Sequence, residues 1–242
     1  MKTMRVQFAE TLNAPDAPLL LRVAKLVWDH LPLCLGADLA LCLAAVPAVA
    51  VWLLGLSLLA PWVAALTLGP VWMATSALAL SLVTGESVTW RSWCKVLTGQ
   101  WRATVSLSAV PALVATIFIG TWQILVAHPH LTWLYLPLFA DGCAATFVVL
   151  ASLSAFSVST SRGLRGWTLW KVSLAVTTLR PGKMLGTLAL FLGLGVLLTI
   201  CNAGLLPVLF APLAVCLAAL TNQTCAGLME HEKRASEPVT DR

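Results

Sequence analysis

Charge is what this chain has least of. Only 10% of its 242 residues are Asp, Glu, Lys or Arg, 59% are hydrophobic, and the mean hydropathy is +0.89. A soluble domain carries about 25% charged residues, so a chain this apolar cannot hide its surface from water at this size. That excludes an ordinary soluble enzyme, a disordered tail and a coiled coil. Catalytic signatures are missing as well. There is no GxSxG elbow, HExxH, GxxxxGK[ST] loop or CxxC pair, and no GxGxxG following a strand. The chain therefore does not hydrolyse ATP itself, and we expect neither an enzyme nor a cofactor. Seven cysteines, an odd number lying mostly in apolar runs, read as small buried hydrophobes and not as metal ligands or disulfides.

What is present is a series of apolar runs. Crossing a bilayer takes about 20 apolar residues, and we expect spans at 33–59, 61–83, 104–126 and 133–158. The first two are close enough to form a tight helical hairpin. The last run, 184–220, would be roughly 55 Å long as one helix, too long for one crossing. Cys201-Asn202-Ala203-Gly204 and Pro207 supply turn chemistry in its middle. Dividing it there gives spans at 184–200 and 205–227, six in all. The expected organisation is an all-α, six-span membrane bundle over 31–228, with a cytoplasmic segment at 1–30 and a cytoplasmic tail at 229–242.

The basic residues give an independent check. All 15 Lys and Arg fall in the N-terminal segment, the connections after spans two and four, or the tail. With six spans they share one face, the cytoplasmic one by the positive-inside rule, with both termini inside a cell membrane. A net charge of +5 then reflects attraction to lipid headgroups, not nucleic acid. The N-terminus mixes acidic and basic residues before any apolar run, which is not the layout of a cleavable signal.

Eleven tryptophans stand against one tyrosine, and most lie near the expected membrane boundaries as an aromatic belt. In the first cytoplasmic connection Trp90, Trp93, Leu97 and Trp101 recur at steps of three and four, with Arg91, Lys95 and Arg102 opposite. The second offers Leu164, Trp167, Trp170 and Leu174, with Arg165 and Lys171 nearby. Both read as amphipathic helices in the inner interface, suited either to lipid anchoring or to docking a cytoplasmic partner. Trp90-Arg-Ser-Trp93 and Trp167-Thr-Leu-Trp170 share a spacing that fits either an internal repeat or coincidence in a Trp-rich chain.

Ionisable residues at membrane depth are candidates for function. Asp38 and Asp141 are the two, about 10 Å apart in depth. Each suits either a hydrogen-bonded packing role or the lining of a polar cavity. His128 and His130 flank Pro129 in a short outer turn and read as solvated.

The order of these features resembles the YesL-like family of small bacterial membrane proteins. Asp38 stands nine positions before Pro47, where that family usually has Asn before Pro, and Thr67-Leu68-Gly69-Pro70 fits its Thr-x-Gly-Pro element. Gly85-Glu86 followed by the aromatic-basic stretch to Trp101-Arg102 agrees in order, as do the later basic-aromatic connection and the final Pro-containing hairpin. The gap from Pro47 to Thr67 is longer than in the family. The family has no established activity. Its genes often neighbour carbohydrate-uptake ABC transporters, so the resemblance implies a non-catalytic accessory role in sugar transport, with transporter subunits or a second copy as partner. The residues alone also fit a small transporter or substrate-capture subunit built around Asp141, similar in span number to the vitamin-binding components of energy-coupling transporters.

Overall fold

Prolines and glycines mark where the helices start and stop. The computed structural model describes residues 19–87, 89–128, 130–164, 166–179, 181–202 and 210–236. Regular structure among these is entirely helical: α1 (Leu19–Asp29), α2 (Leu31–Leu53), α3 (Ala60–Thr84), α4 (Trp90–Gly99), α5 (Trp101–Ala127), a 3-10 turn (Thr132–Leu134), α6 (Tyr135–Arg162), α7 (Gly166–Leu179), α8 (Pro181–Asn202) and α9 (Phe210–Ser236). Pro32 and Pro61 sit in the first turns of α2 and α3, where a missing N–H costs nothing. Gly85 and Gly163 follow α3 and α6 at φ +71° and +62°, a left-handed stop that glycine makes cheaply.

Four helices are long and apolar enough to cross a membrane: Leu31–Leu53, Ala60–Thr84, Trp101–Ala127 and Thr132–Arg162, the last counted with its 3-10 turn. The other apolar stretches, Pro181–Leu194 and Phe210–Thr224, are shorter. Large side chains such as Leu39, Leu43, Ile117, Leu136 and Phe139 point outward from the spanning helices. Lipid accepts such a surface and water does not.

The first expected span is corrected at its end. The apolar run continues to residue 59, but α2 stops at Leu53 because Gly55 adopts φ +81° and its N–H turns back to the Trp52 carbonyl. Residues 54–59 form the turn of the expected hairpin. α9 runs unbroken through 229–236, the first part of the segment expected as the tail. Glu230 stands three and four positions before Lys233 and Arg234, a spacing that supports helix in water. The turn expected around Gly204 and Pro207 lies outside the described residues; α8 ends at Asn202 just before it.

α3 is the central helix, packing against α2, α4, α5, α6 and α9. Its buried face carries Ala65, Gly69, Ala74, Thr75, Ser76 and Ala79, small residues that let neighbouring backbones come close. The tightest approach is to α5, where a Cβ placed on Gly69 would lie 2.2 Å from Ser108 Oγ and 3.1 Å from its Cβ. One buried cluster joins α1, α2 and α4 to the Leu78–Leu82 end of α3 and to Ala211, Ala214 and Ala218 of α9. A second joins Met73 and Leu107 to Phe156, Leu169, Val176, Met184 and Leu217. α9 contributes to both and so ties the two halves of the bundle together.

Gly69→Val should therefore force α3 and α5 apart. Overpacking costs about 1–3 kcal/mol, read as a lowered melting temperature in detergent. Adding Ser108→Gly should recover part of the loss, whereas an equal effect with and without it would show that this crossing is not what matters.

Candidate functional site

The two aspartates have separate partners and share none. Asp38 is 1% exposed, and its Oδ1 accepts the N–H of Ala211 at 2.6 Å. Ala211 lies in the first turn of α9, where N–H groups have no partner within the helix. Pro212 follows with no N–H of its own. A carboxylate at a helix amino terminus is also favoured by the helix dipole. Asp38 lies seven residues beyond the start of α2, about 10 Å along its axis, so α9 begins well inside the bundle beside a membrane-spanning helix. The partner of Asp38 is a backbone N–H 173 positions away, which no side-chain pattern reveals.

Asp141 is half-buried on α6 and accepts the hydroxyl of Thr121 on α5 at 2.9 Å. Nearby in sequence, Gln123 of α5 donates to Ser57 in the 54–59 turn. These contacts fasten that end of α5 to its neighbours. His128 and His130 are exposed, with ring centroids 5.8 Å apart. Among the described residues no three His, Cys, Asp or Glu side chains gather in a metal-binding group.

A cavity of about 530 Å³ lies between α2, α3, α5, α6 and α9. Alanines and glycine leave the room, with Ala45 on α2, Ala64 and Gly69 on α3, and Ala112 and Ala115 on α5. Larger groups shape it: Trp72 on α3, Pro111 on α5, Phe156 on α6, and Phe210 and Leu213 from the first turn of α9. Because Phe210 and Leu213 flank Ala211, the Asp38 hydrogen bond holds that wall in position. Two hydroxyls reach the lining, and both are committed within their own helices. Ser108 Oγ donates to the Thr104 carbonyl at 2.9 Å and Ser152 Oγ to the Val148 carbonyl at 2.7 Å. The buried indole nitrogen of Trp72 has no hydrogen-bond partner. Asp141 does not line this space, and neither does Asp38. The sequence reading looked for a site around charges and so passed over a cavity built from small apolar residues.

The aromatic-basic segments behave differently from each other. α4 is started by a capping box, in which Thr89 and Ser92 each accept the other's backbone N–H. Trp93 then points into the bundle, 5% exposed, among the cluster that includes Leu78 and Leu82. Trp90 stacks on it with ring centroids 4.6 Å apart and 11° between planes. Its ring edge also lies over Gly36 of α2, where an added Cβ would approach to 3.2 Å. Trp90 is 47% exposed, and Trp101, Arg91 and Lys95 are exposed beside it. The expectation that Trp93 belongs to the outward surface is corrected, because it is the root that fixes the others.

In α7 the inward face is Leu169, Ser173, Val176 and Thr177, not the Trp167–Trp170–Leu174 stripe. Ser173 Oγ donates to the Ala151 carbonyl of α6, while Thr177 Oγ1 donates to the Ser173 carbonyl of its own helix at 2.9 Å and lies 3.3 Å from Ser154 Oγ of α6. Small residues that sit close against α6 thus occupy the contact in place of bulky indoles. Trp167 is 70% exposed, Lys171 is exposed and Trp170 is half-buried. Arg165 lies outside the described residues. In both Trp-x-x-Trp pairs the first Trp is exposed, and the second is buried in α4 and half-buried in α7.

No protein-family model, curated protein or solved structure matches the chain.

Asp38→Ala should leave the Ala211 N–H buried and unpaired, at a cost of about 1–3 kcal/mol, while Asp38→Asn keeps an acceptor and most of the stability. Equal melting temperatures for the two variants would mean that the carboxylate's hydrogen bond does not hold α9. Trp93→Ala should cost about 3–5 kcal/mol as a large buried side chain, and Trp90→Ala clearly less, by the same measurement.

Proposed function

We propose that the protein is a non-catalytic accessory subunit of a membrane transport assembly. In this reading it crosses the cell membrane six times with both termini in the cytoplasm, α8 supplying the fifth crossing and the segment that ends in α9 the sixth. α4 and α7 lie toward the inner face, where their basic residues meet anionic headgroups. The confinement of all Lys and Arg to alternate connections supports this topology.

The observation that carries the accessory role is the rigid platform of α4. Its capping box and the buried Trp93 preorganise Trp90, Arg91, Lys95 and Trp101, so docking a partner orders little that is not already ordered. Exposed Trp and Arg are the side chains that dominate binding energy at protein interfaces. The resemblance to YesL-like proteins points to subunits of a carbohydrate transporter as the partner, and a second copy of the chain is the other possibility.

A second reading, a small substrate-capture subunit, is favoured by the five-helix cavity. Its location among α2, α3, α5, α6 and α9 puts the site away from Asp141, and its lining suits apolar cargo. A sugar needs a partner for each hydroxyl, and the Ser108 and Ser152 hydroxyls are already committed.

The test is purification from native membranes in mild detergent with mass spectrometry of the associated chains. A stoichiometric transporter subunit is expected with the wild type, and Arg91→Glu combined with Lys95→Glu should remove it without lowering the melting temperature. Purification with no stoichiometric partner would overturn the accessory role. Retention of the partner by the double variant would instead move the docking surface away from α4.

A further inference from the structure

We propose that the five-helix cavity is a binding site for one linear acyl chain. This rests on the capture reading and is independent of partner docking. About 530 Å³ is within the roughly 300–1,000 Å³ of small-molecule sites. The space is partly open and its walls are almost wholly apolar, so apolar matter is favoured in it over water and restores the dispersion contacts its walls lack.

The lining decides what that is. Ser108 and Ser152 spend their hydroxyls on their own helices, and Asp38 is spent on Ala211. Trp72 offers ring carbon, its indole nitrogen being buried. Among the described residues no carboxylate or cation lines the space, so a charged or polyhydroxylated molecule would lose its hydration without compensation. A hydrocarbon chain loses none. Four of the five bounding helices belong to segments of membrane-spanning length or continue them, so acyl chains are the surrounding solvent. A phospholipid and a free fatty acid both supply such an acyl chain; in both, the polar head stays outside this apolar space.

Cys42 lines the cavity and provides the readout. A variant keeping Cys42 as its sole cysteine, purified in detergent, is alkylated with a small maleimide in the presence of palmitate or of maltose. Palmitate at ten times its half-saturating concentration should slow alkylation about tenfold, the free fraction falling by mass action. Maltose should not slow it. Ala115→Phe, or Ala45→Phe from the opposite wall, should remove the palmitate effect, whereas Leu113→Phe on the exposed side of α5 should retain it. Mass spectrometry of ligand extracted from the purified protein then assigns phospholipid or fatty acid as the source. Protection by maltose but not palmitate would overturn the acyl assignment and leave the capture reading standing. Protection by neither, with no extracted lipid at one per chain, would overturn both. Persistence of the palmitate effect in both cavity-filling variants would overturn the site.

Discussion

A helix that begins inside an apolar bundle must find an acceptor for its first N–H groups, since no water is at hand to take them. α9 begins in that way, and Asp38 is its acceptor. Much else follows from this one hydrogen bond. It holds the first turn of α9 beside α2, which places Phe210 and Leu213 as a wall of the cavity and sets Ala214 and Ala218 against α1 and α3. The described partner of this carboxylate is a helix amino terminus. The positive end of a helix serves in place of an Arg or Lys, and it does so without introducing a second charge that would itself need solvation.

The cavity and the close crossing at Gly69 are two consequences of one composition. Small residues along α3 and α5 let these helices approach at Gly69 and Ser108, where the contact leaves no room for a Cβ. One to two turns away Ala64 and Ala115 face the cavity, which Gly69 and Ser108 also border. Close packing and empty volume alternate according to whether a neighbour is near enough to use the gap.

Much of the architecture was legible in the sequence because lipid-facing structure is read through hydropathy and charge. Four apolar runs became four helices long and apolar enough to cross a membrane, and the first two pack against each other as expected. The errors have specific causes. Hydropathy does not register that Gly55 adopts a positive φ, so the first helix was read six residues too long. Helical spacing groups Trp90, Trp93, Leu97 and Trp101 on one stripe but does not say which of them turns inward. α7 shows the same limit, since Ser173 and Thr177 lie on its buried face against α6, with a bond from Ser173 to α6 that a hydrophobic pattern ignores.

The sequence by itself determined the apolar character of this protein and the positions of its long apolar helices. These depend on sums over many residues, which are insensitive to where any one side chain points. Tertiary structure alone decided the partner of Asp38, the burial of Trp93 and the existence of the cavity. Each of these depends on one contact between residues far apart in the chain: an N–H 173 positions from its acceptor, an indole set against α3, and a space bounded by five helices. Such contacts follow from the way whole helices are packed, and no local stretch of sequence encodes them.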